Sequence, residues 1–201
     1  TKKQYNILKN LKGKFKVFIN SKFIKGSMNY GEYLIQGKSK KEILISTYIC
    51  HPSLANDNLS GIILTAFLAK YISKIKNLNW SYRVIFVPET IGAISYCKLN
   101  EIKMKKINYG LVISCVGGPG KFSYRQSWNK NHFVNQIAEK AFKKLGYKFI
   151  IKKFGLTGSD ERQYSSQGFK INTVTISKSQ YHTYKEYHTS LDNLKFVKAN
   201  N

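Results

Sequence analysis

Three short apolar runs, each followed by a polar motif, constrain the fold of this chain more than anything else in it. Residues 42–49 (Glu-Ile-Leu-Ile-Ser-Thr-Tyr-Ile) form a near-continuous apolar stretch, the pattern of a strand buried on both faces. Residues 82–87 (Tyr-Arg-Val-Ile-Phe-Val) and 110–115 (Gly-Leu-Val-Ile-Ser-Cys) read the same way. Between and after them, apolar positions take helical spacing. A helix is predicted over 58–75 through Ile62, Leu64, Ala66, Phe67, Leu68 and Tyr71, a second over 91–99, and a third over 131–145, closed by Gly146 as C-cap. Further strands are predicted at 14–20 and 30–36, either side of Lys25-Gly26-Ser27, and at 148–154 and 172–177. Strand–helix alternation of this kind predicts an α/β fold of three layers: a mixed, mostly parallel sheet with helices on both faces. In such sheets ligands bind beyond the carboxyl ends of the strands. His51 and Asp57 follow the first run, Glu89 follows the second, and Ser114-Cys115 end the third, so separate motifs converge on one sheet edge.

Composition sharpens that reading. Acidic residues number ten against 34 Lys plus Arg, and only three of them are aspartates. Each aspartate sits in a dense polar motif: Asp57 in Cys50-His51-Pro52-Ser53-Leu54-Ala55-Asn56-Asp57-Asn58-Leu59-Ser60-Gly61, Asp160 in Gly158-Ser159-Asp160-Glu161-Arg162, and Asp192 in Tyr187-His188-Thr189-Ser190-Leu191-Asp192-Asn193. Carboxylate with imidazole is the usual ligand set of a hydrolytic zinc site. On spacing alone, Asp57 serves equally well as a helix cap, and His51-Pro52 as a strand exit. His188 by itself reads as a surface histidine, and Asp192 as a cap or an acid that orients a neighbour. His132 and His182 have no carboxylate motif around them.

The net charge of +24 raises a polyanion-binding reading. The charge is nearly all lysine, with Arg83, Arg125 and Arg162 the only arginines. Base and phosphate recognition favours the arginine fork, so no specific nucleic-acid partner is expected. Cys50, Cys97 and Cys115 are odd in number and lack C-x-x-C spacing, which implies no disulfide framework and fits a reducing cytoplasm. No apolar run reaches membrane-spanning length. The chain of 201 residues suits one domain, 1–201, and its start at Thr1 reads as a piece of a longer protein.

The run 50–61, together with Pro88-Glu89-Thr90-Ile91-Gly92, Gly158-Ser159-Asp160-Glu161 and Tyr187-His188-Thr189, resembles the zinc-dependent exopeptidases of the aminopeptidase-like superfamily. More narrowly it is similar to bacterial aminopeptidase-like proteins linked with surface-polysaccharide genes. The resemblance runs from about Tyr5 to Val197 and implies the catalytic core alone, without the inserted β-rich domain and the following winged-helix domain of full-length relatives. It implies that Asp57 is a metal-bridging carboxylate with a cis bond to Asn58, that His51 and His188 bind metal, and that Glu89 is a general base or a further ligand. It implies that Asp160, Glu161 and Arg162 lie near the substrate; read without it, they are a surface ion cluster. Two expected carboxylates are missing, because Thr90 stands where a second Glu belongs and Ser114-Cys115 where an Asp belongs. One zinc ion is therefore expected rather than two.

These readings lead to a zinc-dependent aminopeptidase-like hydrolase of an amide bond in a peptide or amino-sugar-like small substrate. Two alternatives stand beside it: a non-catalytic relative that binds a ligand through a degraded metal site, and a basic polyanion-binding module. No membrane partner is expected, and self-association is left open.

Overall fold

In the computed structural model, which describes residues 1–198 and 200, the strands are β1 (Gly31–Ile35), β2 (Glu42–Tyr48), β3 (Ser81–Val87), β4 (Ile107–Ile113), β5 (Phe122–Arg125), β6 (Phe149–Lys152) and β7 (Asn172–Ser177). They form one sheet in the order β1-β3-β2-β4-β7-β5-β6. The four strands β3, β2, β4 and β7 run parallel, while β1 and β5 pair antiparallel to their inner neighbours and β6 runs parallel to β5. The sheet is thus mixed with a parallel centre. All seven residues of β2 are buried, as its unbroken apolar run requires of a strand flanked on both sides and covered on both faces.

The helices are α1 (Lys2–Asn10), α2 (Gly61–Ser73), α3 (Ile91–Leu99), α4 (Glu101–Met104), α5 (Phe133–Lys144) and α6 (Glu161–Tyr164). One face of the sheet packs Leu44, Ile85, Val87 and Val112 against Ala93, Tyr96 and Cys97 of α3, Met104 of α4 and Tyr164 of α6. The opposite face packs Ile45, Val84 and Ile113 against Ala69 and Ile72 of α2, and Tyr124 and Val174 against Val134, Ala138 and Phe142 of α5. Leu111 touches both of these latter clusters, which places α2 and α5 on the same side. Residues alternating along each strand therefore feed two separate cores, the period-2 geometry of a sheet between two helical layers.

The predicted strand over 14–20 is absent. That stretch carries no regular structure, and Val17, Phe18 and Ile19 are about four-fifths exposed, at 81%, 82% and 78%. Its β-branched and aromatic residues favour a strand only where a ladder partner and a covering layer exist, and here neither is present. The prediction at 30–36 resolves into the edge strand β1, and that at 148–154 into the short outer strand β6. The helix predicted over 58–75 starts later, at Gly61, after a wide irregular turn over Ala55–Ser60 in which Asp57 and Asn58 leave helical geometry.

Candidate metal and active site

The turn that carries Asp57 is stitched down by its two asparagines. Asn58 donates through Nδ2 to Thr47 Oγ1 and the Tyr48 carbonyl, at 2.9 and 3.0 Å, and accepts from the Cys115 amide at 3.0 Å. Asn56 accepts from the amides of Gly117 and Gly118, both at 2.9 Å. Ser60 closes the turn by donating to the Asn56 carbonyl and accepting from the Val116 amide. A Cβ at Gly61 would lie 2.3 Å from Asn58 Oδ1 and 2.8 Å from the Ile113 carbonyl, so only glycine fits there. The Asp-Asn-Leu-Ser-Gly run thus ties the ends of β2 and β4 together, and the Asp57–Asn58 bond is cis. Asp192, fully buried, accepts from the Asn56 and Asp57 amides at 2.6 and 3.1 Å and so orients the aspartate's backbone. Asp57 caps no helix.

With its backbone fixed, Asp57 presents its carboxylate to four side chains. Tyr48 donates to Oδ1 at 2.7 Å, as does the Cys115 thiol at 3.6 Å. Burial and the neighbouring Cys115, Asp57 and Glu89 push the Tyr48 phenol well above its ordinary value, so it remains a donor. The other oxygen, Oδ2, faces His188 Nε2 at 3.1 Å and His51 Nε2 at 3.5 Å. The two imidazole rings lie 4.6 Å apart. His51 Nε2 is buried and has no hydrogen-bond partner, an unusual state for a ring nitrogen unless something else completes it.

These distances fit a cation. A tetrahedral zinc with bonds of ~2.0–2.1 Å to nitrogen and oxygen spaces its ligand atoms about 3.3 Å apart, and the two observed separations bracket that spacing. His51, Asp57 and His188 each offer one atom to a group mutually within 4.8 Å. Tyr187 stacks on His188 with centroids 3.9 Å apart and holds the half-exposed ring in place.

Glu89 sits one turn away at the end of β3. The backbone reverses through a γ-turn at Thr90, whose φ of 60° and ψ of −71° bring the Ile91 amide to the Glu89 carbonyl at 2.7 Å. A Cβ at Gly92 would meet Pro88 at 2.5 Å, which explains the glycine behind the turn. The Glu89 carboxylate accepts from Ser159 Oγ at 2.6 Å and lies 3.9 Å from Cys50 Sγ. It opens into a pocket of about 210 Å³ lined also by Tyr48, Ser159, Tyr181, His182 and Tyr187. Cys50, His51 and Glu89 form a second group with ligand atoms mutually within 4.8 Å.

Asp160, Glu161 and Arg162 lie beneath this pocket. Asp160 and Glu161 are fully buried. Asp160 accepts from the Thr90 amide at 2.8 Å, and burial pushes its carboxyl up to about 8. Glu161 accepts from the Ser159 amide and Thr175 Oγ1 and faces Arg125 Nε at 3.4 Å. Arg162 donates to the carbonyls of Leu156 and Ser159. All three are tied to protein groups that shape the Ser159 loop and the Thr90 turn, and they form no surface ion cluster.

Several site groups carried no sequence signal. Tyr48 lay inside a strand pattern that already explained it. Ser159 was masked by the acids beside it. His182 shows only in three dimensions, where it packs edge-on to Tyr181 and Tyr187 at 5.5 and 4.8 Å. Both His182 and His188 have positive φ, 63° and 55°, as do Thr90 and Cys115 at 60° and 52°. Asn77 and Lys170, at 59° and 52°, share this conformation outside the site.

Comparison with known proteins identifies the family and the fold. Residues 15–201 match the family described as domain of unknown function (DUF4910). A Clostridium acetobutylicum protein named "Putative polysaccharide biosynthesis protein with aminopeptidase-like domain" is 43% identical over 183 residues, 91% of this chain and 42% of that protein. The chain thus spans about two fifths of the length of that curated relative. A crystal structure of a "putative peptidase" from C. acetobutylicum superposes with a TM-score of 0.81 at 42% identity, over 85% of this chain and 40% of that one. A zinc aminopeptidase from Bacillus subtilis gives 0.69 at 17% identity, over 84% of this chain and 44% of that one. A glutaminyl cyclase from Porphyromonas gingivalis gives 0.69 at 16%, over 86% and 71%. The last two likenesses concern the fold alone. The chain belongs to the DUF4910 family and has the α/β fold of the zinc aminopeptidases.

Proposed function

We propose that the protein is a metal-dependent aminopeptidase-like hydrolase that cleaves an amide bond, with His51, Asp57 and His188 holding one zinc ion. The observation that carries this reading is the convergence of two imidazole nitrogens on one oxygen of a buried aspartate whose other oxygen is taken by Tyr48. Bound there, zinc supplies Lewis acidity toward a carbonyl and lowers the pKa of a water toward ~7. The residues around it do the rest. Tyr48 keeps the Asp57 carboxylate turned so that Oδ2 faces the histidines, and Asp192 holds its backbone. Glu89 acts as general base, taking a proton from the attacking water and passing it to the leaving amine. Ser159 fixes one of its oxygens and leaves the other toward Cys50 and the pocket. Three tyrosines and His182 form the pocket wall and would enclose one residue-sized group of a peptide or amino-sugar-like substrate.

The decisive variant is Glu89→Gln. A base at this position gives unchanged zinc content and a turnover of aminoacyl-p-nitroanilides lowered by roughly 10²–10⁴-fold. If zinc content falls together with turnover, Glu89 is a ligand. A wild-type protein that holds zinc but shows no turnover of such substrates would favour the ligand-binding relative, the reading suggested by Thr90 and Ser114-Cys115 in place of carboxylates.

A further inference from the structure

We infer that Cys50, His51 and Glu89 form a second, thiolate-bearing cation site that silences the enzyme when divalent zinc is in excess. The proposal rests on Glu89 being the base. Cys50 Sγ and Glu89 Oε2 are 3.9 Å apart, and one atom of each residue, with one nitrogen of His51, lies within 4.8 Å of the others. A tetrahedral zinc with Zn–S of ~2.3 Å and Zn–O of ~2.0–2.2 Å spaces those two atoms about 3.6 Å apart, so closing the Cys50–Glu89 pair on the ion needs a shift of a few tenths of an ångström. Sulfur, imidazole and carboxylate together suit zinc and cobalt and disfavour magnesium or calcium. All three residues are partly buried at the end of β2 and β3, so the site is reachable from solvent yet anchored on both strands.

The consequence follows from two shared groups. Glu89 cannot take a proton from water while its oxygen lone pair is bound to a cation. His51 also belongs to the Asp57 group, so with the first ion in place a cation held by Cys50 takes the second ring nitrogen, which gives up its own proton and leaves a bridging imidazolate. With Glu89 bound to that cation, hydrolysis stops. Binding converts the Cys50 thiol to thiolate and the His51 ring to imidazolate and releases both protons to solvent, with no change of oxidation state. The Asp57 group fills first because its spacing already matches a tetrahedral ion, whereas the Cys50 group must contract.

Cobalt(II) titration of the chelator-stripped protein tests this, since a sulfur ligand gives a near-ultraviolet charge-transfer band that nitrogen and oxygen ligands lack. The wild type is expected to show the band at loadings above one equivalent, and Cys50→Ser to lack it. In wild type alone, excess zinc should protect one thiol from a thiol reagent, Cys97 and Cys115 being buried in the fold. The ratio of turnover in excess zinc to turnover at one equivalent should fall by roughly 10²-fold in wild type, the worth of a general base, and stay near one in Cys50→Ser. Absence of the band at every loading would overturn the proposal, as would a band that survives in Cys50→Ser. If the protein binds cobalt with the thiolate band but never hydrolyses an amide, the hydrolase reading fails and the site stands.

Discussion

Asp160 shows how a single buried carboxyl can report on the site above it. One oxygen accepts from the Thr90 amide, and the other is buried without a partner. Burial raises its pKa from 3.8 to about 8, with Glu89 and Glu161 adding to the shift. In the unfolded chain this group loses its proton near pH 4, whereas in the folded protein it keeps it until about pH 8. Between those values the folded state binds more protons, so its contribution to stability is full below pH 4 and declines as pH rises toward 8. Asp160→Asn supplies the same acceptor to Thr90 without a titrating group. It should gain on wild type by up to about 1.4 kcal/mol per pH unit across that window, read from urea melts at several pH values. Parallel stability curves for the two proteins would show that Asp160 is ionised throughout. At this scale the ligand candidates were legible because each is a rare residue in a dense motif. Tyr48 and Ser159 were not, because a strand pattern and a pair of acids already accounted for their surroundings.

Individual elements were legible to the extent that burial decides them. β2, β3 and β7 lie where the apolar runs put them, and α3 spans the residues its spacing marked. β5 was not visible, since Phe-Ser-Tyr-Arg after a glycine-rich loop is too short to show a period, and it exists through its antiparallel pairing with β7. The stretch 14–20 had strand composition and no partner. The first three strands also share a feature that composition hid: Arg83 on β3 is buried between Glu42 of β2 and Glu32 of β1. Two of the ten acids thus hold one of the three arginines inside the sheet. Removing one partner of a buried pair leaves an uncompensated charge, which costs about 3–5 kcal/mol. Glu42→Gln should fall near the lower end of that range, because Glu32 remains. A loss below about 1 kcal/mol in equilibrium unfolding, the scale of an exposed pair, would mean that solvent screens Arg83.

At the scale of the whole molecule, the +24 charge is carried mainly by lysine. Arg83 and Arg125 are buried, and Arg162 is half-buried and donates to backbone carbonyls, so the charge that faces solvent is nearly all lysine. Such a surface attracts polyanions without reading them. Among the described residues no helix is long and apolar enough to cross a membrane. The layered sheet brings the ends of β2 and β3 and the segment around His188 to one place, and on the hydrolase reading that convergence is what the fold contributes. The proposed hydrolase therefore requires a cation at Asp57. Crystals grown with one equivalent of zinc and measured on both sides of the zinc absorption edge should show one anomalous peak about 2.0–2.2 Å from His51 Nε2, Asp57 Oδ2 and His188 Nε2. No peak there, or a peak bound by Cys50 and Glu89 alone, would contradict it.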